Sequence, residues 1–119
     1  MDEPDVYELL SVGRDLMRRG KNYEAALVLE RAVAVEPSKT SIREALARAL
    51  YNSGQTRRAG EEFEQAMNLD PADDYAHFGL GLCRARLGDK TRAVGLLKIA
   101  IAMRPDSEDY IHALNRLAG

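Results

Sequence analysis

Three prolines, Pro37, Pro71 and Pro105, stand 34 residues apart, and the chain around them repeats in step. The clearest copy runs from Gly88 through Ala93, Leu97 and Ala100 to Pro105. One period earlier Gly54, Ala59, Phe63 and Ala66 precede Pro71, and one period before that Gly20, Ala25, Leu29 and Ala32 precede Pro37. Self-similarity at a fixed period of roughly 20–50 residues marks a chain built from one small unit stacked on itself. Such a unit cannot bury its apolar face alone, and about three are needed before stacking yields a continuous core.

This order of glycine, alanine, apolar residue, alanine and proline resembles the tetratricopeptide repeat (TPR), a helix–turn–helix unit. The apolar, small and apolar slots of its first helix fall on Val12, Gly13 and Leu16, on Leu46, Ala47 and Leu50, and on Leu80, Gly81 and Arg84. The slot usually held by an aromatic carries Leu9, Arg43 and His77, and Arg84 departs from the apolar pattern. The resemblance implies an all-α right-handed solenoid of three units plus a terminal capping helix, seven helices in all. The units fall at about 6–39, 40–73 and 74–107 and the cap at about 107–118, within a single domain.

The elements follow from local chemistry. Asp2 and Asp5 place negative charge where a helix N-terminus favours it, and Pro4 is tolerated in a first turn. The first helix spans about 6–19, with Val6, Leu9, Leu10, Val12, Leu16 and Met17 at helical spacing. Gly20 ends it by taking up the left-handed turn. The second helix, about 22–35, carries Ala25, Ala26, Leu27, Leu29, Ala32 and Val33 as its apolar stripe and stops at Pro37. Ser38 is the expected N-cap of a third helix to Ser53. A fourth, about 56–69, holds Gly60 in its interior, which costs about 1 kcal/mol against alanine. That glycine either permits close approach of a neighbouring helix or is a neutral change. Asp73 or Asp74 starts the fifth helix, Gly88-Asp89 turns the chain, and a sixth runs about 90–103. The last helix presents Tyr110, Ile111, Leu114 and Leu117, and is expected to shield the end of the stack. Ala25, Ala59 and Ala93 belong where the helices of one unit cross, and Ala32, Ala66 and Ala100 where the next unit docks.

Net charge is −2, so bulk basicity gives no argument for nucleic acid. One cysteine, Cys83, admits no internal disulfide and suits a reducing compartment. No apolar run approaches a membrane span. The acidic start, Met1-Asp2-Glu3-Pro4-Asp5, lacks the basic and apolar run of a signal peptide, so a cytoplasmic chain beginning at its own methionine is expected.

Catalysis needs a nucleophile, a base and an orienting group converging on one cleft, and the candidates are thin. His77 and His112 are the only histidines, and no pair has metal-ligand spacing. His77 reads as a packed histidine, His112 as a surface one and Cys83 as a buried structural thiol. Gly79-Leu80-Gly81 lies mid-helix without the phosphate-loop context. Glu61, Glu62 and Glu64 read as a solvated face. Neither enzyme activity nor a cofactor or metal is expected.

Solenoids bind on their concave surface, which in the TPR family is lined by the first helix of each unit. The resemblance places Tyr7, Leu10, Arg14, Met17 and Arg18 there, then Ser41, Glu44, Arg48, Tyr51 and Asn52. Tyr75, Phe78, Leu82, Ala85 and Arg86 follow, with Asp109, His112 and Arg116 from the last helix. These hold four of seven aromatics, and five arginines against two carboxylates in an acidic chain. Tyrosine and arginine are enriched at binding hot spots, and arginine grips carboxylates bidentately. The expectation is a protein partner whose segment bears acids and an apolar anchor, with a self-associating scaffold as the alternative. Some TPR domains clamp a chaperone's C-terminal carboxylate with lysine, asparagine and arginine. Those slots here hold Leu10, Arg14, Ala45, Tyr75 and Gly79, so no such clamp is expected.

Overall fold

The structure, a computed structural model, describes residues 5–119. Asp2 and Pro4 therefore lie outside the described residues. Seven helices follow one another: α1 (Val6–Arg18), α2 (Asn22–Val35), α3 (Thr40–Asn52), α4 (Thr56–Leu69), α5 (Asp74–Arg86), α6 (Lys90–Met103) and α7 (Glu108–Ala118). Each packs on its chain neighbours, and α1 also meets α3, α3 meets α5 and α5 meets α7. That ladder is an α-solenoid with α1, α3, α5 and α7 along one side. The particle measures 52 × 26 × 23 Å.

The turns repeat as faithfully as the sequence. Gly20, Gly54 and Gly88 take φ of 76°, 86° and 91°. After each, the chain reaches back to close the helix: Lys21 N donates to Leu16 O, Gln55 N to Leu50 O and Asp89 N to Arg84 O, all at 2.8 Å. This six-to-one bond is the Schellman closure, which requires a left-handed residue just past the helix end. Helix starts are less uniform. Asp5, Asp73, Asp89 and Ser107 each accept a backbone N–H from the first turn. Ser38 does not: α3 begins one residue later, with Lys39 at the cap position and no side-chain bond. The Pro37 turn leaves Ser38 outside the helix, and Arg43 Nε donates to Pro37 O at 2.9 Å instead.

The six repeated alanines are fully buried. A Cβ on Gly81 would come within 3.4 Å of the Ala93 carbonyl, so the two helices of the third unit touch backbone to side chain there. Closer still is Gly79, where a Cβ would lie 2.3 Å from the Phe63 ring. Gly60 is different. A Cβ there would rest 3.5 Å from Cys83 Cβ and 3.7 Å from Leu80 Cδ1, ordinary contacts. Close approach is thus the reason for Gly79, not for Gly60.

Several expected core residues stand outside it. Val12 is 50% exposed, whereas its counterparts Leu46 and Leu80 are 2% and 4% exposed. Leu80 faces α4 of the preceding unit, and nothing among the described residues occupies that place for α1. Leu27 is 51% exposed, and Ile111 also reaches the surface. Both lie one helical step from residues that are buried, Ala26 and Tyr110, so the stripe is narrower than the apolar pattern implied.

The two charged departures from the repeat, Arg43 and Arg84, are answered by α4. Arg43 Nη1 meets Glu62 Oε1 at 2.9 Å, both largely shielded, and Arg84 meets Glu64 at 3.5 Å. Glu62 is therefore not part of a solvated face. A guanidinium at a packed slot needs a charge partner, and the neighbouring helix supplies one.

Gly54→Ala should destabilise the fold by about 1–2 kcal/mol, the cost of a left-handed alanine. Gly60→Ala should stabilise it by up to about 1 kcal/mol through helix propensity. Thermal melts read both, and a lowered Tm for Gly60→Ala would mean the helix contacts there are tighter than described.

Candidate functional site

α1, α3 and α5 turn one face inward, and the residues expected there mostly arrive. Arg14, Arg18, Arg48, Arg86, His112 and Arg116 are exposed, and Met17, Tyr51, Tyr75, Phe78 and Leu82 are half-buried. Leu10 is the exception. It is 8% exposed and belongs to the core with Val6, Leu9 and Ala45. Because α1 packs on α3 as well as on α2, an aliphatic side chain at this register joins the shared interior. Tyr7 stays outside, with Lys39 Nζ donating to its hydroxyl at 2.8 Å. That bond holds the ammonium above its ordinary pKa.

Two depressions share Arg14, Met17 and Arg48 and so form one trough. One, about 200 Å³, adds Arg18 and Asn52. The other, about 120 Å³, adds Glu44 and Tyr75. A third depression of about 320 Å³ lies further along, between α5 and α7. Between them Arg86 is stacked 3.6 Å over the Tyr51 ring, and its Nη1 donates to Tyr51 O at 3.1 Å. A cation on an aromatic face, further pinned by a hydrogen bond, loses little freedom when a ligand arrives.

The arginines divide by location. Away from the inner face, Arg43, Arg58, Arg84 and Arg104 reach carboxylates on other helices, Arg19 and Arg92 pair within their own turn or at a cap, and Arg31 and Arg57 have no carboxylate partner among the described residues. On that face, Arg18 is tied to Asp15 at 3.1 Å, but Arg14, Arg48, Arg86 and Arg116 have no carboxylate partner among the described residues. This inner face therefore offers guanidinium forks with donors to spare.

An aromatic run supports the floor. Phe63 meets Tyr75 edge-on at 5.9 Å, Tyr75 leans on Phe78 at 6.2 Å, and Phe78 stacks on Tyr110 at 4.5 Å. Burial holds the Tyr75 phenol above its ordinary pKa, with nearby Arg48 pulling the other way. Tyr110 is buried at the α5–α7 junction and donates to Asp74 Oδ2 at 2.6 Å. Burial, and then that bond, keep its hydroxyl protonated far above the usual phenol range. Arg104 Nε donates to the same Asp74 oxygen at 2.9 Å. Burial alone would raise the Asp74 carboxyl, but the bonds from Tyr110 and Arg104 outweigh it and leave it below the ordinary 3.8. No local pattern signals this junction, because Arg104 and Tyr110 lie 30 and 36 residues from Asp74.

The remaining candidates are structural. His77 is buried, and its Nδ1 donates to Asp73 O at 2.9 Å. Cys83 is fully buried, and burial pushes its thiol up to about 11. Such a thiol holds little thiolate near neutrality. Of the slots a chaperone-tail clamp would use, Ala45 and Gly79 are buried with Leu10.

Comparison with known proteins agrees with this geometry. The tetratricopeptide repeat family model matches residues 12–53 and 44–108. A TPR repeat-containing protein of Pseudomonas aeruginosa is 34% identical over 101 residues, 85% of this chain and 39% of its own length. A TPR- and J-domain-containing co-chaperone of Fusarium oxysporum is 28% identical over 106 residues, 89% of this chain and 20% of its own. The chain thus spans well under half the length of either relative. Among solved structures, the Sgt2 TPR domain of Aspergillus fumigatus superposes with a TM-score of 0.90 at 26% identity, over 97% of this chain and 78% of that one. The first TPR domain of Spaghetti (RPAP3), solved with an HSP90 peptide, gives 0.91 at 17% identity over 99% and 94%, a likeness of fold.

The Asp74 junction makes an acid-sensitive seam. Its carboxylate is favoured in the folded state, so that contribution is full above the ordinary aspartate pKa and is lost as pH falls from there through the lower pKa of the folded state. The Tm gap between wild type and Asp74→Asn should therefore narrow between pH 6 and pH 3, about the range of carboxylate titration. An unchanged gap would mean that the carboxylate charge contributes nothing. With its repeated Schellman turns, buried alanine ladder and family-model match across most of its length, the chain belongs to the tetratricopeptide repeat family.

Proposed function

We propose that this protein is an interaction module whose inner face holds a segment of a partner protein bearing acidic residues and at least one apolar anchor. The observation that carries this reading is the set of four arginines, Arg14, Arg48, Arg86 and Arg116, that have no carboxylate partner among the described residues and lie along one concave side. Elsewhere six of eight arginines have found carboxylates, Arg31 and Arg57 being the exceptions, so unanswered charge is concentrated on the inner face. Half-buried Tyr51, Tyr75 and Phe78 supply rigid apolar area beside those charges, the combination common at binding hot spots. Neighbours of like fold include one solved with a peptide, and that likeness supports the class of function without naming this chain's partner.

A test is affinity capture from the source cell, wild type beside Arg14→Glu/Arg48→Glu, with captured proteins read by mass spectrometry. Both positions are exposed, so the fold should survive. The expected result is a protein retained by wild type and lost from the double variant, its binding weakening as salt rises, since exposed charge pairs are screened. Equal capture by both would move binding away from the inner face.

Self-association is the second reading, and exposed Val12 at the open face of α1 favours it. Tyr110 of the last helix is not free to join such a contact, because that side chain is buried inside the chain's own α5–α7 contact. On the groove reading, light scattering should return the single-chain 13.2 kDa. A mass that climbs with concentration and falls back in Val12→Lys would favour self-association.

A further inference from the structure

We infer that the depression between α5 and α7 is the anchor pocket of the groove, taking a branched aliphatic side chain whose neighbouring carboxylate lies between Arg86 and Arg116. This rests on the groove reading above and makes it specific. It also gives α7 a role in binding beyond closing the stack.

The pocket holds about 320 Å³, and its aliphatic lining comes from Leu82 and Ala85 of α5 and Ala113 and Leu117 of α7, with Tyr51 of α3 beside them. Arg86 and Arg116 line the same space, and neither has a carboxylate partner among the described residues. The trough at the other end is of different character. Arg14, Arg18, Arg48 and Asn52 line it with Met17, Ala45 and Tyr75, so it suits acids but gives an aliphatic side chain fewer aliphatic neighbours than the four of the α5–α7 pocket. Of these two, the α5–α7 pocket sets the larger aliphatic lining beside positive charge that has no carboxylate partner among the described residues.

The geometry is also set in advance. Arg86 lies flat on the Tyr51 ring with Nη1 on the Tyr51 carbonyl. Its other N–H donors remain for a ligand, and a guanidinium held in place presents a fixed fork to a carboxylate. The opposite wall is fixed by Tyr110, stacked on Phe78 at 4.5 Å and bonded to Asp74. Small side chains at Ala85 and Ala113 keep the pocket open. The charge selects an acidic partner segment over a basic or neutral one, and the aliphatic lining selects leucine or isoleucine over alanine.

The test uses the full chain and three fluorescein-labelled synthetic peptides, read by fluorescence anisotropy. The first is a short aspartate- and glutamate-rich segment with one central leucine. The second replaces that leucine by alanine, and the third keeps it but replaces the acids by asparagine and glutamine. The leucine peptide should bind wild type about tenfold tighter than the alanine peptide, the effect of burying one aliphatic side chain. Ala85→Leu fills the pocket and should abolish that preference. Arg116→Gln should weaken the leucine peptide severalfold. Equal binding of the leucine and alanine peptides, or a preference that survives Ala85→Leu, overturns the anchor pocket while the groove reading stands. If no acidic peptide binds, or the amide peptide binds as well as the acidic one, the groove reading fails with it. Should circular dichroism show Ala85→Leu unfolded, wild-type amide shifts decide. The difference between leucine- and alanine-peptide complexes should centre on Ala85, Ala113 and Leu117, and a difference centred elsewhere sinks the pocket.

Discussion

Close approach between helices is the constraint on which the rest of this structure depends. Interaxial distances near the short end of the roughly 8–10 Å range need small residues at the crossings. Six alanines at fixed spacing meet that need, and all six are fully buried. Where alanine is still too large, glycine takes its place, as at Gly79 under the Phe63 ring. Because every unit satisfies the same constraint in the same register, α1, α3, α5 and α7 come out on one side and the inner face exists at all. The apolar interior is correspondingly modest in side-chain size, with Leu29, Ile42, Leu46, Leu50 and Leu97 among its largest fully buried members.

Charge is arranged around that scaffold in two ways. At packed slots and along the outer helices, most arginines are matched with carboxylates, as Arg43 is with Glu62 and Arg104 with Asp74. Along the inner face Arg18 pairs with Asp15, and the others have no carboxylate partner among the described residues, Arg86 lying on an aromatic ring. A matched surface pair contributes little net stability, so the contrast bears on recognition more than on folding. Four of the six arginines without a carboxylate partner among the described residues stand on one concave side, which is the basis of the acidic partner proposed above.

How far the sequence could be read depended on whether a property was local and periodic. Turn glycines, helix lengths and the buried alanines recur at one spacing, and each was legible. Leu10 was not, because its burial follows from α1 meeting α3, a contact that periodicity along one helix does not report. Val12 failed the other way. Its pattern is that of Leu46 and Leu80, but burial needs a preceding unit to cover it. Ser38 had the right chemistry for a cap and sits one residue too early to use it.

The sequence by itself determined the architecture: three stacked units and a closing helix, with the register of every turn. It did so because repeat packing is a nearest-neighbour matter, written again in each unit. Tertiary structure alone decided which charges were answered, that Tyr110 locks α7 to α5 through Asp74 and Phe78, and that α5 and α7 together enclose an apolar pocket. Those features join residues tens of positions apart through side chains that the repeat does not share. Their pairing depends on distances in space, which no periodic pattern along the chain encodes.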